Sequence, residues 1–171
     1  MKLFEGLKTL PNIHPLFVHF PIALLLTSLF LFVLALSIKR NQIFTIAKWN
    51  LIIGTLSGVI TVITGFIAAR SVPHNHEIHM AMITHRNLML TTVIISLALS
   101  IYIFDKKECL PGKKGIIFLI GTILMAACLT IGADFGGKMV FKYGVATELY
   151  LKLNPEIDSN DQHQEHDHGH D

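Results

Sequence analysis

Charge is what this sequence has least of. Only 15% of its 171 residues are Asp, Glu, Lys or Arg, against about a quarter in a usual soluble domain. The deficit is concentrated: residues 16–38, 51–69, 88–104 and 115–133 contain none of the four. Each block is close to the ~20 apolar residues that cross a ~30 Å hydrocarbon layer as helix. The third is the shortest, and Met80, Met82 and Ile83 extend it backwards. A hydrophobic share of 51% and a mean hydropathy of +0.54 fit the same picture. Buried core helices of a soluble protein are the alternative, and the length and spacing of the blocks argue against it.

Other absences remove whole classes of function. The only cysteines, Cys109 and Cys128, fall in a loop and within a helix at opposite depths, so no disulfide is expected and the redox compartment stays open. No nucleophile elbow, phosphate loop or HExxH pattern is present. A net charge of +2, with basic residues at the ends of the apolar blocks and no basic stripe, gives no reason to expect nucleic acid. No charged residue lies at the centre of a span, and four short helices leave little room for a midplane transport site.

What is present is histidine, ten in all. Two of them, His14 and His19, lie in HPLFVHFPIALLL, where the first apolar block begins. An ionisable side chain at a membrane boundary is a functional-site hypothesis by default. Pro15 suits a first helical position, whereas Pro21 lies inside the helix, frees the carbonyl of Phe17 and predicts a kink beside His19. A Pro kink without any ligand is the plainer reading. Basic residues, an apolar run and Ala35-Leu36-Ser37 imitate a secretory signal, but the run has 23 residues where a signal has roughly 7–15. It reads as a retained first helix.

Four spans are expected at about residues 15–39, 46–70, 75–104 and 114–134. Residues 1–150 form one transmembrane domain and 151–171 an acidic, His-rich, disordered tail. The fold class is all-α: an integral membrane four-helix bundle with a short extramembrane segment after the fourth helix. Gly54, Gly58, Thr61, Gly65 and Ala68 form a seam of small residues on the second helix, and Thr92, Ser96 and Ser100 a weaker one on the third. Both read as packing surfaces.

Lys39, Arg40, Lys48, Lys106, Lys107, Lys113 and Lys114 crowd the two loops after the first and third helices. This bias predicts that these loops are cytoplasmic and that both termini lie outside. An even number of crossings then brings every histidine and Asp134 to the outer face. Imidazole ligates haem iron, copper and zinc. For haem b, His19 and His85 stand at matching depth on two helices, with His79 in reserve and His14 nearby. For copper or zinc, His76 and His79 would combine with His14 or Asp134, and the tail residues His163, His166, His168 and His170 would capture metal weakly. Helix-capping and headgroup contacts are the bland reading of the same residues.

NIHPLFVHFPIALLL, GTLSGVITVITGF, HEIHMAMITHRN and the ending GADFGGKMVFKYGVAT together resemble the bacterial membrane proteins catalogued as domain of unknown function 2231. The resemblance covers residues 10–147. It departs mildly at Met139-Val140-Phe141, where that family's pattern usually has Leu-Val-Tyr. Fusion of some members to iron–sulfur or cytochrome modules implies a redox setting and a redox partner at the outer face. Three functions follow in order: an electron-transfer protein with haem b, a copper- or zinc-handling protein, and a non-catalytic membrane subunit.

Overall fold

The computed structural model describes residues 13–71, 76–108, 110 and 112–145. The expected tail, with its four histidines, lies outside the described residues, as do His74 and Cys109. Four helices make up the fold: α1 (His14–Ile38), α2 (Asn41–Ala68), α3 (His76–Ile103) and α4 (Gly112–Phe141). A 3₁₀ turn, Ala69–Ser71, follows α2. All four helices are long and apolar enough to span a bilayer, and no strand occurs among the described residues. The protein is an all-α four-helix membrane bundle.

The helices run up and down. α1 packs on α2 and α3 on α4, and the two hairpins meet through α2 against α3 and α1 against α4. α1 and α3 therefore stand across the diagonal. Large apolar side chains such as Phe30, Ile63, Ile101 and Ile117 cover the outside. In lipid they gain nothing by moving inward, so association depends on close van der Waals contact and interhelical hydrogen bonds.

The inner faces accordingly carry small residues. Gly54, Thr55, Gly58 and Thr61 on α2 are buried, as are Thr92, Ser96 and Ser100 on α3. A Cβ at Gly54 would come within 2.9 Å of Leu25 and 3.1 Å of the Leu24 Cβ, so only glycine allows this approach. Between hairpins, the Thr55 and Ser100 hydroxyls meet at 3.0 Å. Nearer the α1–α2 turn, Phe32 is fully buried and packs edge-on against Phe44 and Phe118, with centroids 5.8 and 4.9 Å apart.

Two boundaries differ from the sequence expectation. α2 begins at Asn41, because Lys39 takes a left-handed conformation (φ 52°) that reverses the chain in two residues. α4 continues past 134 to Phe141, so Asp134, Gly136 and Gly137 are helical. Packing of this last part against α3 outweighs the helix-weakening glycines. The stop comes at Gly144, whose left-handed backbone (φ 67°) lets its N–H reach the Val140 carbonyl at 3.0 Å.

Pro21 is buried within α1. The Phe17 carbonyl, which a proline four residues on cannot serve, lies 3.2 Å from the Thr61 hydroxyl, which also approaches the Ser57 carbonyl at 2.8 Å. A neighbouring helix thus brings a hydroxyl, shared between two carbonyls, to the backbone group that the ring left open.

Candidate functional site

The five described histidines all occupy one end of the bundle: His14 and His19 on α1, and His76, His79 and His85 on α3. Helical phase separates them. Positions 14 and 19 differ by ~140° around a helix, so both cannot face the same neighbour. His14 is half-buried against α2 and His19 is exposed. On α3, His85 and His79 are half-buried while His76 is exposed. Asp134 is exposed on α4. Among the described residues, no three His, Cys, Asp or Glu side chains come together as a metal-holding group.

His14 and His85 lie within electrostatic range of each other, so that a positive charge on one would repel a positive charge on the other. His19, the partner expected from depth alone, turns outward. Each inward ring is held by the second helix of its own hairpin.

His14 has its Nδ1 3.2 Å from the Thr64 hydroxyl oxygen. That hydroxyl spends its hydrogen on the Thr61 carbonyl at 2.9 Å, so it accepts from the ring. The Thr61 backbone also hydrogen-bonds the same imidazole. His85 donates from Nδ1 to the Gly132 carbonyl at 2.7 Å. The carbonyl partner makes Nδ1–H the donor at His85, so a neutral ring there carries its basic lone pair on Nε2, and the Thr64 hydroxyl accommodates the same tautomer at His14. Nδ1–H bonded to a main-chain or hydroxyl oxygen is the arrangement that orients a metal-ligating histidine.

Both rings lie over glycine. A Cβ at Gly65 would stand 3.0 Å from His14 Cε1, and one at Gly136 would stand 3.0 Å from His85 Cε1. Any larger residue there would displace the imidazole. From sequence, Gly65 reads as part of a packing seam, and nothing local marks Thr64, Gly132 or Gly136 as histidine supports. One signal is available: each histidine precedes its glycine by the same interval, 14 to 65 and 85 to 136, which is 51 residues in both cases.

Chemically, such a pair offers two nitrogen donors fixed by helix–helix contact. Two axial nitrogens are what a bis-imidazole haem requires. A structural zinc site needs about four ligands, which the described residues do not bring together.

The family model described as "Predicted membrane protein (DUF2231)" matches residues 10–149, and the chain belongs to that family. No curated protein and no solved structure matches it.

Proposed function

We propose that this member of the DUF2231 family holds haem b between His14 and His85 and carries electrons near the outer face of the bacterial cytoplasmic membrane. The observation that supports this reading is the histidine pair itself. Two imidazoles on diagonal helices are each tied through Nδ1 to the neighbouring helix of the hairpin.

Bound there, haem iron supplies a one-electron couple. The protein's part is to orient and to exclude water. Thr64 and the Gly132 carbonyl fix the rings and raise their basicity through the shared Nδ1–H. Gly65 and Gly136 let the imidazoles sit close against α2 and α4. With the lysine- and arginine-rich loops on the cytoplasmic side, this end of the bundle faces outward, where a redox partner would dock.

The copper or zinc reading draws on the same histidines. Its proposed donors His76 and Asp134 are exposed, and the tail histidines lie outside the described residues, so fewer observations support it.

The full chain, purified in detergent from cells supplied with haem precursor, should show a Soret band and a reduced-minus-oxidised α band. His14→Ala and His85→Ala should each abolish both, while His19→Ala should leave them. A colourless, correctly folded wild type overturns the haem reading, and metal analysis of that same sample then tests the copper or zinc alternative.

A further inference from the structure

Hairpin α1–α2 and hairpin α3–α4 agree position by position at one offset. His14 and His85 are 71 residues apart, and so are Gly65 and Gly136. The ring atoms facing the two glycines rank in the same order. From a Cβ at Gly65, His14 Cε1, Nδ1 and Nε2 lie at 3.0, 3.4 and 3.6 Å; from one at Gly136, the His85 atoms lie at 3.0, 3.2 and 3.9 Å.

The next contact inward keeps the register. Thr61 touches Phe17, through its hydroxyl and the Phe17 carbonyl. Gly132 faces Leu88, whose Cβ lies 3.0 Å from the site of a Cβ there. Thr61 and Gly132 are again 71 residues apart, as are Phe17 and Leu88. The backbone of Thr61 bonds His14 as that of Gly132 bonds His85.

Burial follows the same rule. Every buried residue of α4, namely Gly115, Phe118, Thr122, Met125, Ala126, Leu129 and Gly132, falls opposite a buried residue of α2 at this offset. On the first helices the match is partial: of the five buried residues of α1, Pro21, Leu25 and Phe32 match buried Thr92, Ser96 and Ile103, and Ser28 and Ala35 do not. Asn41 and Gly112, the first residues of α2 and α4, are also a matched pair. A burial stripe of helical period would agree at several offsets; the histidine–glycine pairs select this one. Identities at matched positions are few, because an apolar seam tolerates exchange among residues of suitable size.

We infer that the two hairpins are copies of one unit, related by a twofold axis along the membrane normal, and that His14 and His85 are its equivalent ligands on either side of that axis. Parallel repeats with a site at their interface are an established plan for membrane bundles. The equivalence extends to the supporting groups: Gly65 with Gly136, and the Thr61 backbone with that of Gly132. The ligand class, a single haem iron bound by two like imidazoles, rests on the function proposed above; the repeat itself does not.

Two measurements on the full chain separate these layers. In the ligand-free protein, ¹⁵N-labelled histidine spectra should report the Nδ1–H tautomer for both rings. Gly65→Ala should shift the His14 signal and Gly136→Ala the His85 signal, by similar amounts. Unlike tautomers, or a response at one ring alone, overturn the repeat. In the haem-loaded protein, His14→Met and His85→Met should change the low-spin spectrum alike. A spectrum altered by only one of them overturns the equivalence of the ligands while leaving haem binding intact. A wild type that takes up no haem overturns the functional reading, and the first measurement still decides the repeat.

Discussion

The two hairpins hold their histidines by different chemical means. In the first, His14 is the opening residue of α1, no side chain caps that helix, and the ring leans on a side-chain hydroxyl, that of Thr64. In the second, α3 begins well before His85, and the ring donates to a main-chain carbonyl, that of Gly132. The second hairpin is also tied at its histidine end, where the Tyr143 hydroxyl donates to Glu77 at 3.1 Å. The hydroxyl support of His14 can be removed by one substitution, which leaves the Thr61 backbone bond. A seat built on a carbonyl can only be moved by shifting the helix that carries it.

This contrast can be sharpened by substitutions of decreasing expected effect, each read by chemical or thermal unfolding of the detergent-solubilised protein. Phe32→Ala should cost most, on the order of 3 kcal/mol, because it empties the contact with Phe44 and Phe118 that joins the two hairpins. A loss confined to one hairpin, seen by hydrogen exchange, would contradict that joining role. Gly132→Ala should follow, at about 2 kcal/mol. Its new methyl meets the side chain of Met89, which can move, and the Leu88 Cβ, which cannot. The histidine spectrum should then change at His85 and stay fixed at His14.

Thr64→Val should cost about 1 kcal/mol, the worth of one hydrogen bond. It should loosen His14 alone, leaving the Thr61 backbone as its support, and lower haem occupancy in a loaded sample, with His85 unmoved. Equal disturbance of both rings would erase the distinction between the two seats. The smallest effect is expected from Thr55→Val, ~0.6 kcal/mol, since Ser100 can turn its hydroxyl to its own helix. A cost several times larger would mean that polar contacts, more than small-residue packing, join α2 to α3.

Much of the bundle is legible in the amino-acid sequence. The four charge-free blocks form four helices because a helix is the shortest way to satisfy an apolar segment's backbone groups in lipid. The small residues of α2 and α3 are readable as seams, and Gly54, Gly58, Thr61, Thr92, Ser96 and Ser100 are buried along them. Less is legible at the helix ends. Nothing in Lys39-Arg40 announces a left-handed turn, and the glycines near 136 look like a terminus until a histidine ring is found on one of them.

The histidine end shows the same limit more sharply. Pattern alone puts His14, His19, His79 and His85 on one side, since counting crossings requires only hydropathy. It cannot choose between His14 and His19, which sit within one short motif and differ in helical phase.

By itself, then, the amino-acid order determined a helical membrane bundle with its five described imidazoles gathered at one end, because solvation by lipid acts on each segment separately. Tertiary contact decided which two rings turn inward, which nitrogen of each carries the proton, and that two hairpins of dissimilar sequence repeat one design. Those outcomes depend on what stands opposite each side chain, on Thr64 and Gly65 for one ring and on Gly132 and Gly136 for the other. A neighbour more than forty residues away in the chain leaves no local trace in sequence.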